Sequence, residues 1–566
     1  MPIWRQIPAK NKMQIKKIIR NLICLTLLTI STTVFANVDL MPISDLRPGM
    51  KGYGKTVIKG DKIETFDVEI LGVNGSQMMG ETIFVKLSGD LINKTGGVAQ
   101  GMSGSPVYVD NRLVGAVAYG QAFNDPHYCF LTPIGQMLNL VDEIHYPSNW
   151  LPKGTALSAG GFTEEGFNHL KSRLSDKFSL DVVPGGTGEV NVGDFEPGSS
   201  VGVSLVNGDI TLGALGTVTW TDDEGNLIAF GHPFLKRGGA NFFLNKVWVL
   251  GTIPNLQSSF KVGQIGQVAG TICQDRAAGV AGLVGKEPKS IPLIVNVGDF
   301  DRDVYQSVSV KLVEDELLLP ELVDSVVYNS LTKAVDRVGG GTAQLKFSID
   351  ATSKGEKKER YEIRRENMYF AISKLLKNLD NEMISSLSDL SLNKFDNLNI
   401  EKIVVDAKVS EDLRVAEVKE ISIPRKTYHG GDLVKVKVKM KPYRGEDFER
   451  IVDFKIPQKH KGNLTICVRG GSSLLWLERL LKKNQDEQMP LQSKEAKQVL
   501  KDYVEHLNSR DKNNELIIDV GGKNLSQIAK KNEAGFLGLL QGTPVKVKQE
   551  YDFIVMGEME LSFDVK

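Results

Sequence analysis

The sequence predicts a mostly β protein whose first half folds as two small barrels sharing a groove, and three observations carry that expectation. Glycine is abundant, at 56 of 566 residues, and much of it falls between residues 40 and 340 beside valine-rich alternating runs, a composition suited to short strands joined by tight turns. The β phrases between 201 and 300 match those between 40 and 140 in length and spacing, as a pair of barrels would require. Beyond residue 305 the texture changes to helical periodicity mixed with alternating strands. A chain of this length exceeds one ordinary core, so several domains are expected.

The first 36 residues stand apart. Lys16, Lys17 and Arg20 form a positive stretch, Ile23 to Ile30 an apolar one, and Val34, Phe35 and Ala36 bring a small residue before Asn37. This is the pattern of a secretory signal peptide, with Met13 available as a start. Cys24 lies inside the apolar run rather than at its end, which disfavours a lipoprotein. The run is too short for an anchor, and no later stretch approaches the roughly 20 apolar residues that span a bilayer. The protein is therefore expected to be exported, whether periplasmic, envelope-associated or extracellular, with no integral membrane segment after cleavage. Its 69 basic and 69 acidic residues leave no net charge, which argues against a nucleic-acid partner.

Residues 37–148 are expected to form a serine-bearing barrel region, with strands over Thr56–Gly60, Glu64–Leu71, Thr82–Leu87, Ser105–Val109 and Leu113–Ala118. Asp110-Asn111 suits the turn between the last two strands, and Leu131–Leu140 reads as a short helix. Residues 149–200, with Gly160-Gly161 and a helix over Glu164–Leu174, read as a small inserted subdomain. Residues 201–305 form a histidine-bearing barrel region with strands at Val201–Leu205, Leu215–Trp220 and Ser290–Val297. Residues 306–394 are a helical and mixed linker, with helices over Glu321–Val335 and Asn367–Leu387 and a strand at Gln344–Ile349. Residues 395–475 read as a β-sandwich-like module, where Lys435, Lys437 and Lys439 alternate with valine as a half-solvated strand does. Residues 476–566 form a C-terminal α/β region: a helix over Glu478–His506 broken near Pro490, then strands at Glu515–Val520 and Tyr551–Val565.

The sharpest chemical signal is Gly96-Gly-Val-Ala-Gln-Gly-Met-Ser-Gly-Ser-Pro106. A serine between glycines on a tight turn can expose its hydroxyl while nearby backbone N–H groups converge on the oxygen that becomes charged in acyl transfer. Ser103 is the expected nucleophile, with the N–H groups of Gly101 and Ser103 as the oxyanion hole; Ser105, followed by Pro106, is the second choice. A serine needs a base. Of seven histidines, His232 in Gly231-His-Pro233 is held on a turn and poorly suited to filling a core, and His127 in Asn124-Asp-Pro-His127 is the competitor. For the acid that orients the imidazole, Asp90 comes first, Asp125 next, and Asp222 and Asp223 after them, with a Ser-His dyad left open. Cys129, Cys273 and Cys467 have neither ligand spacing nor disulfide density. Neither metal nor cofactor is expected, because no histidine pair, P-loop or dinucleotide phrase occurs.

At these residues the chain resembles the SpoIVB-type serine peptidases, the family of the sporulation signalling protease. Ile63–Leu71, Lys86–Gly97, Gln100–Val107, Val114–Ala118 and Phe123–Pro126 resemble its nucleophile region, and Leu215–Trp220 through His232 its histidine region. The resemblance implies a trypsin-like fold, the family serine at Ser103 and its base at His232. It also implies a PDZ-like domain, for which the 149–200 stretch with Glu196–Gly202 offers room. Here the histidine region follows the serine region, so the resemblance implies a circularly permuted barrel pair. The Thr-Asp-Pro setting of the family aspartate is missing around Asp90. The expected function is that of an exported serine endopeptidase acting on a protein or peptide, able to process itself. The competing expectation is a degenerate envelope scaffold whose C-terminal modules bind an envelope protein. An esterase is disfavoured, since Ser103 lacks the Gly-x-Ser-x-Gly elbow.

Overall fold

The computed structural model describes residues 39–76, 80–120, 125–142, 157–178, 182–255, 259–355, 358–471, 494–520 and 546–566. The signal-like segment, His145, Phe123-Asn124 and the stretch around Pro490 lie outside them. The chain is mostly β, and its first sheet is a closed barrel: β1 (Lys51–Val57), β2 (Ile63–Ser76), β3 (Gly80–Ser88), β4 (Pro106–Val109), β5 (Arg112–Tyr119) and β6 (Tyr128–Pro133), in the order β1-β2-β3-β6-β5-β4. Pairing of β1 with β4 closes the ring. Alternate residues of each strand point inward, so Phe66, Val68, Ile70, Ile83, Val85, Leu87 and Leu131 fill one core. Gly54 is needed there, since a Cβ on it would lie 2.1 Å from the Phe66 ring. The Asp110-Asn111 turn has φ of 51° and 59°, the left-handed pair that a two-residue hairpin requires. Helix α1 (Asp90–Thr95) follows β3, and α2 (Ile134–Asp142) follows β6.

The helix expected from Leu131 begins at Ile134 instead. Tyr128–Pro133 is the strand that joins β3 to β5, and its inward residues Cys129 and Leu131 belong to the barrel core.

Next comes a 13-stranded sheet. Its strands are β7 (Leu157–Gly160), β8 (Val182–Thr187), β9 (Ser200–Gly208), β10 (Thr211–Thr221), β11 (Asn226–Ala229), β12 (Gly238–Ile253) and β13 (Phe260–Arg276), followed by β14 (Gly279–Val284), β15 (Ser290–Asp299), β16 (Val304–Val313), β17 (Gly341–Ser353), β18 (Arg360–Ala371) and β19 (Leu398–Ser410). The order is β14-β11-β10-β7-β8-β13-β12-β9-β16-β15-β19-β17-β18, and extra pairings of β13 with β14 and β9 with β10 curl its first half back on itself. One barrel beside curled sheets is consistent with a trypsin-like multi-barrel β fold. Strands β7 and β8 are members of this sheet, while the helix between them, α3 (Glu164–Phe178), packs on α4 (Leu319–Val335).

The helix expected over Asn367–Leu387 divides into strand and helix. Residues through Ala371 pair one for one with β17, and α5 covers only Asn381–Ser391. The inward positions Arg365 and Asn367 are polar, which hides the two-residue period. Both are buried because Glu382 receives them, at 2.8 Å from Arg365 and 3.0 Å from Asn367.

The remaining strands form a four-stranded and a five-stranded sheet. Val434, Val436 and Phe454 from one share a core with Ile466, Ile518 and Phe563 from the other. The lysine row lies on the exposed face, where Lys437 pairs with Glu449 at 2.8 Å and Lys439 with Asp447 at 3.3 Å. Cys129, Cys273 and Cys467 are all free thiols.

Candidate active site

The serine loop runs from α1 to β4 and is shaped by glycines at positive φ: Gly96, Gly97, Gly101 and Gly104. At Gly104 both conformation and space demand glycine, since φ is +93° and a Cβ would lie 2.0 Å from the Thr217 carbonyl oxygen and 2.4 Å from the Phe230 nitrogen. Around this point the backbone N–H groups alternate in their use. Those of Gln100, Met102, Gly104 and Ser105 donate to Ser259, Ala99, Val117 and Met102. Those of Gly101 and Ser103 have no hydrogen-bond partner among the described residues.

Peptide planarity says where these two N–H groups point. In a trans peptide the carbonyl and the following N–H are opposed. The Gln100 carbonyl accepts from the Lys261 N–H at 2.9 Å and the Met102 carbonyl from the Ser105 N–H at 2.9 Å; Gly101 N–H therefore faces away from β13, and Ser103 N–H away from Ser105. On the buried side Thr217 holds two carbonyls, its N–H donating to Ser103 at 2.8 Å and its hydroxyl to Gly101 at 2.9 Å. Ser103 is half-buried. The Ser105 hydroxyl is fully buried and has no hydrogen-bond partner among the described residues.

The histidine turn follows β11. Phe230 and Gly231 have φ of 74° and 67°; the first is strained for a bulky residue. The Phe230 ring is locked over Gly216, where a Cβ would lie 2.2 Å from it, and the Gly231 carbonyl accepts from the Thr132 hydroxyl of β6 at 2.5 Å. The serine loop and the histidine turn thus meet through Gly104 and Phe230, one residue after Ser103 and two before His232. His232 is half-buried between Phe230 and Tyr119, with ring centroids 5.9 and 6.1 Å away. Its Nδ1 lies 2.8 Å from the Pro233 carbonyl oxygen. A carbonyl only accepts, so Nδ1 carries the proton and Nε2 keeps its lone pair. Burial pushes the imidazole below its ordinary pKa, opposed by the Pro233 carbonyl. No hydrogen bond joins Ser103 to His232 among the described residues.

Asp275 on β13 was not legible as a site residue, and it organises this turn. Its carboxylate is fully buried and accepts the N–H groups of Phe234 and Leu235 at 2.7 Å each and of Arg237 at 3.2 Å. Burial raises it to about 6 against the pull of those donors. The only sequence signal is an acid at an inward register position of a strand.

The other expected residues take different places. Asp90 is exposed in the first turn of α1, with no hydrogen bond to His232. His127 Nδ1 lies 2.7 Å from Asp125 at the surface, and Asp222 ties its own turn through Glu224 and Asn226. Among the described residues, Cys467, Glu558 and Glu560 bring a thiol and two carboxylates within 4.8 Å of one another. Burial, with Glu558 beside it, pushes that thiol well up. No helix among the described residues is long and apolar enough to cross a membrane.

The SpoIVB peptidase S55 family model matches residues 42–138. The matched stretch is the barrel with most of α2; it contains Ser103 and leaves His232 outside. The match supports classification as a hydrolase of peptidase type. No curated protein matches the chain, and no solved structure does.

Proposed function

We propose that the protein is an exported serine endopeptidase of SpoIVB type, with Ser103 as nucleophile and His232 as general base, on a permuted trypsin-like arrangement. The observation that carries this reading is the meeting of the serine loop and the histidine turn beside two N–H groups, those of Gly101 and Ser103, that have no partner among the described residues. Ser103 Oγ would attack the scissile carbonyl carbon as its proton passes to His232 Nε2. The carbonyl oxygen, now charged, would take hydrogen bonds from the Gly101 and Ser103 N–H groups. Collapse breaks the C–N bond, and His232 gives its proton to the leaving amine. Water then releases the acyl group by the same steps in reverse roles. With the Pro233 carbonyl fixing the tautomer, the orienting part of an aspartate's work is met by backbone, and Asp90 and Asp125 become dispensable. His127 and Ser105 rank behind because one is held at the surface by Asp125 and the other is sealed in the core. Export rests on the charged and apolar pattern of residues 1–36.

A second reading is favoured by one observation, that among the described residues His232 Nδ1 meets the Pro233 carbonyl and no carboxylate: a degenerate peptidase fold retained as an envelope scaffold, with the C-terminal sheets binding a partner protein. Digestion of a defined peptide library by the mature protein separates the two. The endopeptidase reading predicts internal cuts that vanish in S103A and H232A and persist in H127A. Cutting that survives S103A would remove it.

A further inference from the structure

The least explained group near the site is a buried cation. Lys261, at the start of β13, is 4% exposed, and no charged side chain among the described residues offsets its ammonium, whose pKa burial lowers to about 7. An unpaired buried ammonium is unfavourable where an apolar side chain of similar length would fill the space at no such penalty. Its contacts suggest why it is there. Nζ donates to the Thr56 hydroxyl at 3.0 Å and the Thr217 hydroxyl at 3.4 Å. With its oxygen taken as an acceptor, Thr217 turns its own hydrogen to the Gly101 carbonyl at 2.9 Å. The Lys261 stem lies against Gly101, its Cβ, Cγ and Cδ all 3.0–3.1 Å from where a Cβ on Gly101 would sit, and its backbone N–H holds the Gln100 carbonyl. One residue therefore grips the loop by its backbone, its stem and, through Thr217, its charge.

We propose that Lys261 is a positioning residue: its backbone N–H holds the Gln100 carbonyl and so turns the Gly101 N–H outward, and through Thr217 its side chain fixes the next peptide plane, Gly101–Met102, which links that N–H to the one on Ser103, so that the two stay presented together. The inference rests on the serine-peptidase reading of Ser103 but concerns a residue that takes no part in proton transfer. A small displacement of an oxyanion donor is enough to lower reactivity by about a hundredfold.

The test is the second-order rate of inactivation by a small fluorophosphonate, whose P=O must enter the same pair of N–H groups, measured on the full chain with K261M, T217V and T217S. Melting followed by circular dichroism checks that each is folded, and peptide hydrolysis gives kcat and KM. The proposal predicts inactivation slowed about tenfold or more in K261M and T217V, a fall in kcat with KM little changed, and recovery in T217S, which restores the hydroxyl. Folded K261M and T217V reacting at the wild-type rate would overturn it, as would T217S as slow as T217V; if K261M does not fold, the Thr217 pair decides alone. A wild type that does not react at all removes the serine reading itself, a different result from a reactive wild type whose variants are unaffected.

Discussion

At the scale of single residues, the account turns on how burial and backbone contacts set the state of two side chains. His232 is desolvated, which lowers its pKa below the ordinary 6.5, and a base must be neutral to accept a proton. The rate of acylation should therefore rise with pH through a midpoint below 6.5, read from labelling rates between pH 4.5 and 6.5, below the pH of about 7 at which Lys261 loses its proton. A midpoint clearly above 6.5 would mean that another group limits the reaction. Asp275 acts one step back, holding the N–H groups of Phe234, Leu235 and Arg237. Substituting Ala leaves two buried donors, those of Phe234 and Leu235, unpaired, at roughly 1–3 kcal/mol each, and the partly buried Arg237 N–H without its acceptor. D275A should thus lose at least about 2 kcal/mol of stability in urea denaturation, and the milder D275N should stay folded yet react more slowly. A D275N as stable and as reactive as wild type would show that the carboxylate does not organise the turn. The turn of the serine loop was legible because its glycines announce an unusual backbone, whereas Asp275 was not, because a buried acid in a strand looks like any other until its partners are seen.

Elements matter here chiefly where they touch. The serine loop is pressed so closely on β10 and on the end of β11 that Gly104 has no room for a methyl group, 2.0 Å from Thr217 and 2.4 Å from Phe230, and it sits at φ +93°. G104A combines backbone strain with overpacking, each about 1–3 kcal/mol, and should destabilise the protein by about 3 kcal/mol and abolish labelling. G135A is the control: that glycine lies exposed on α2 with nothing within 4 Å, so alanine should be neutral or stabilise by up to about 1 kcal/mol in thermal melts. Equal effects of the two would sink the close-approach argument. The same packing explains which elements the sequence disclosed. Strands β2 and β3 alternate between core and solvent and were legible, and β5, buried along its length, was legible as a continuous apolar run. The long hairpin β12–β13 was not, because its register shifts repeatedly, as between Leu244 and Asn245, so no single period runs through it. Strand β18 was hidden by the polar pair Arg365 and Asn367 on its inward face, whose partner Glu382 comes from helix α5.

For the whole molecule, the proposed site lies on the seam between the barrel and the 13-stranded sheet. Ser103 comes from one and His232 from the other, while Thr132, Thr217 and Thr219 tie the two by hydrogen bonds to Gly231, Gly101 and Gly104. A seam of this kind is beyond the reach of periodicity, which reports the faces of elements and not which faces meet; the pairing of Ser103 with His232 was expected from motif chemistry and resemblance, and only the fold brings their loops side by side. The family match ends at residue 138, so the assignment of His232 depends on that seam. The most direct measurement is reaction of the intact mature protein with a fluorophosphonate, followed by mass spectrometry of the modified peptide in wild type, S103A and H232A. The account predicts a single adduct on Ser103, absent from S103A and slowed at least a hundredfold in H232A; an adduct on another residue, or undiminished labelling of Ser103 without His232, would contradict it.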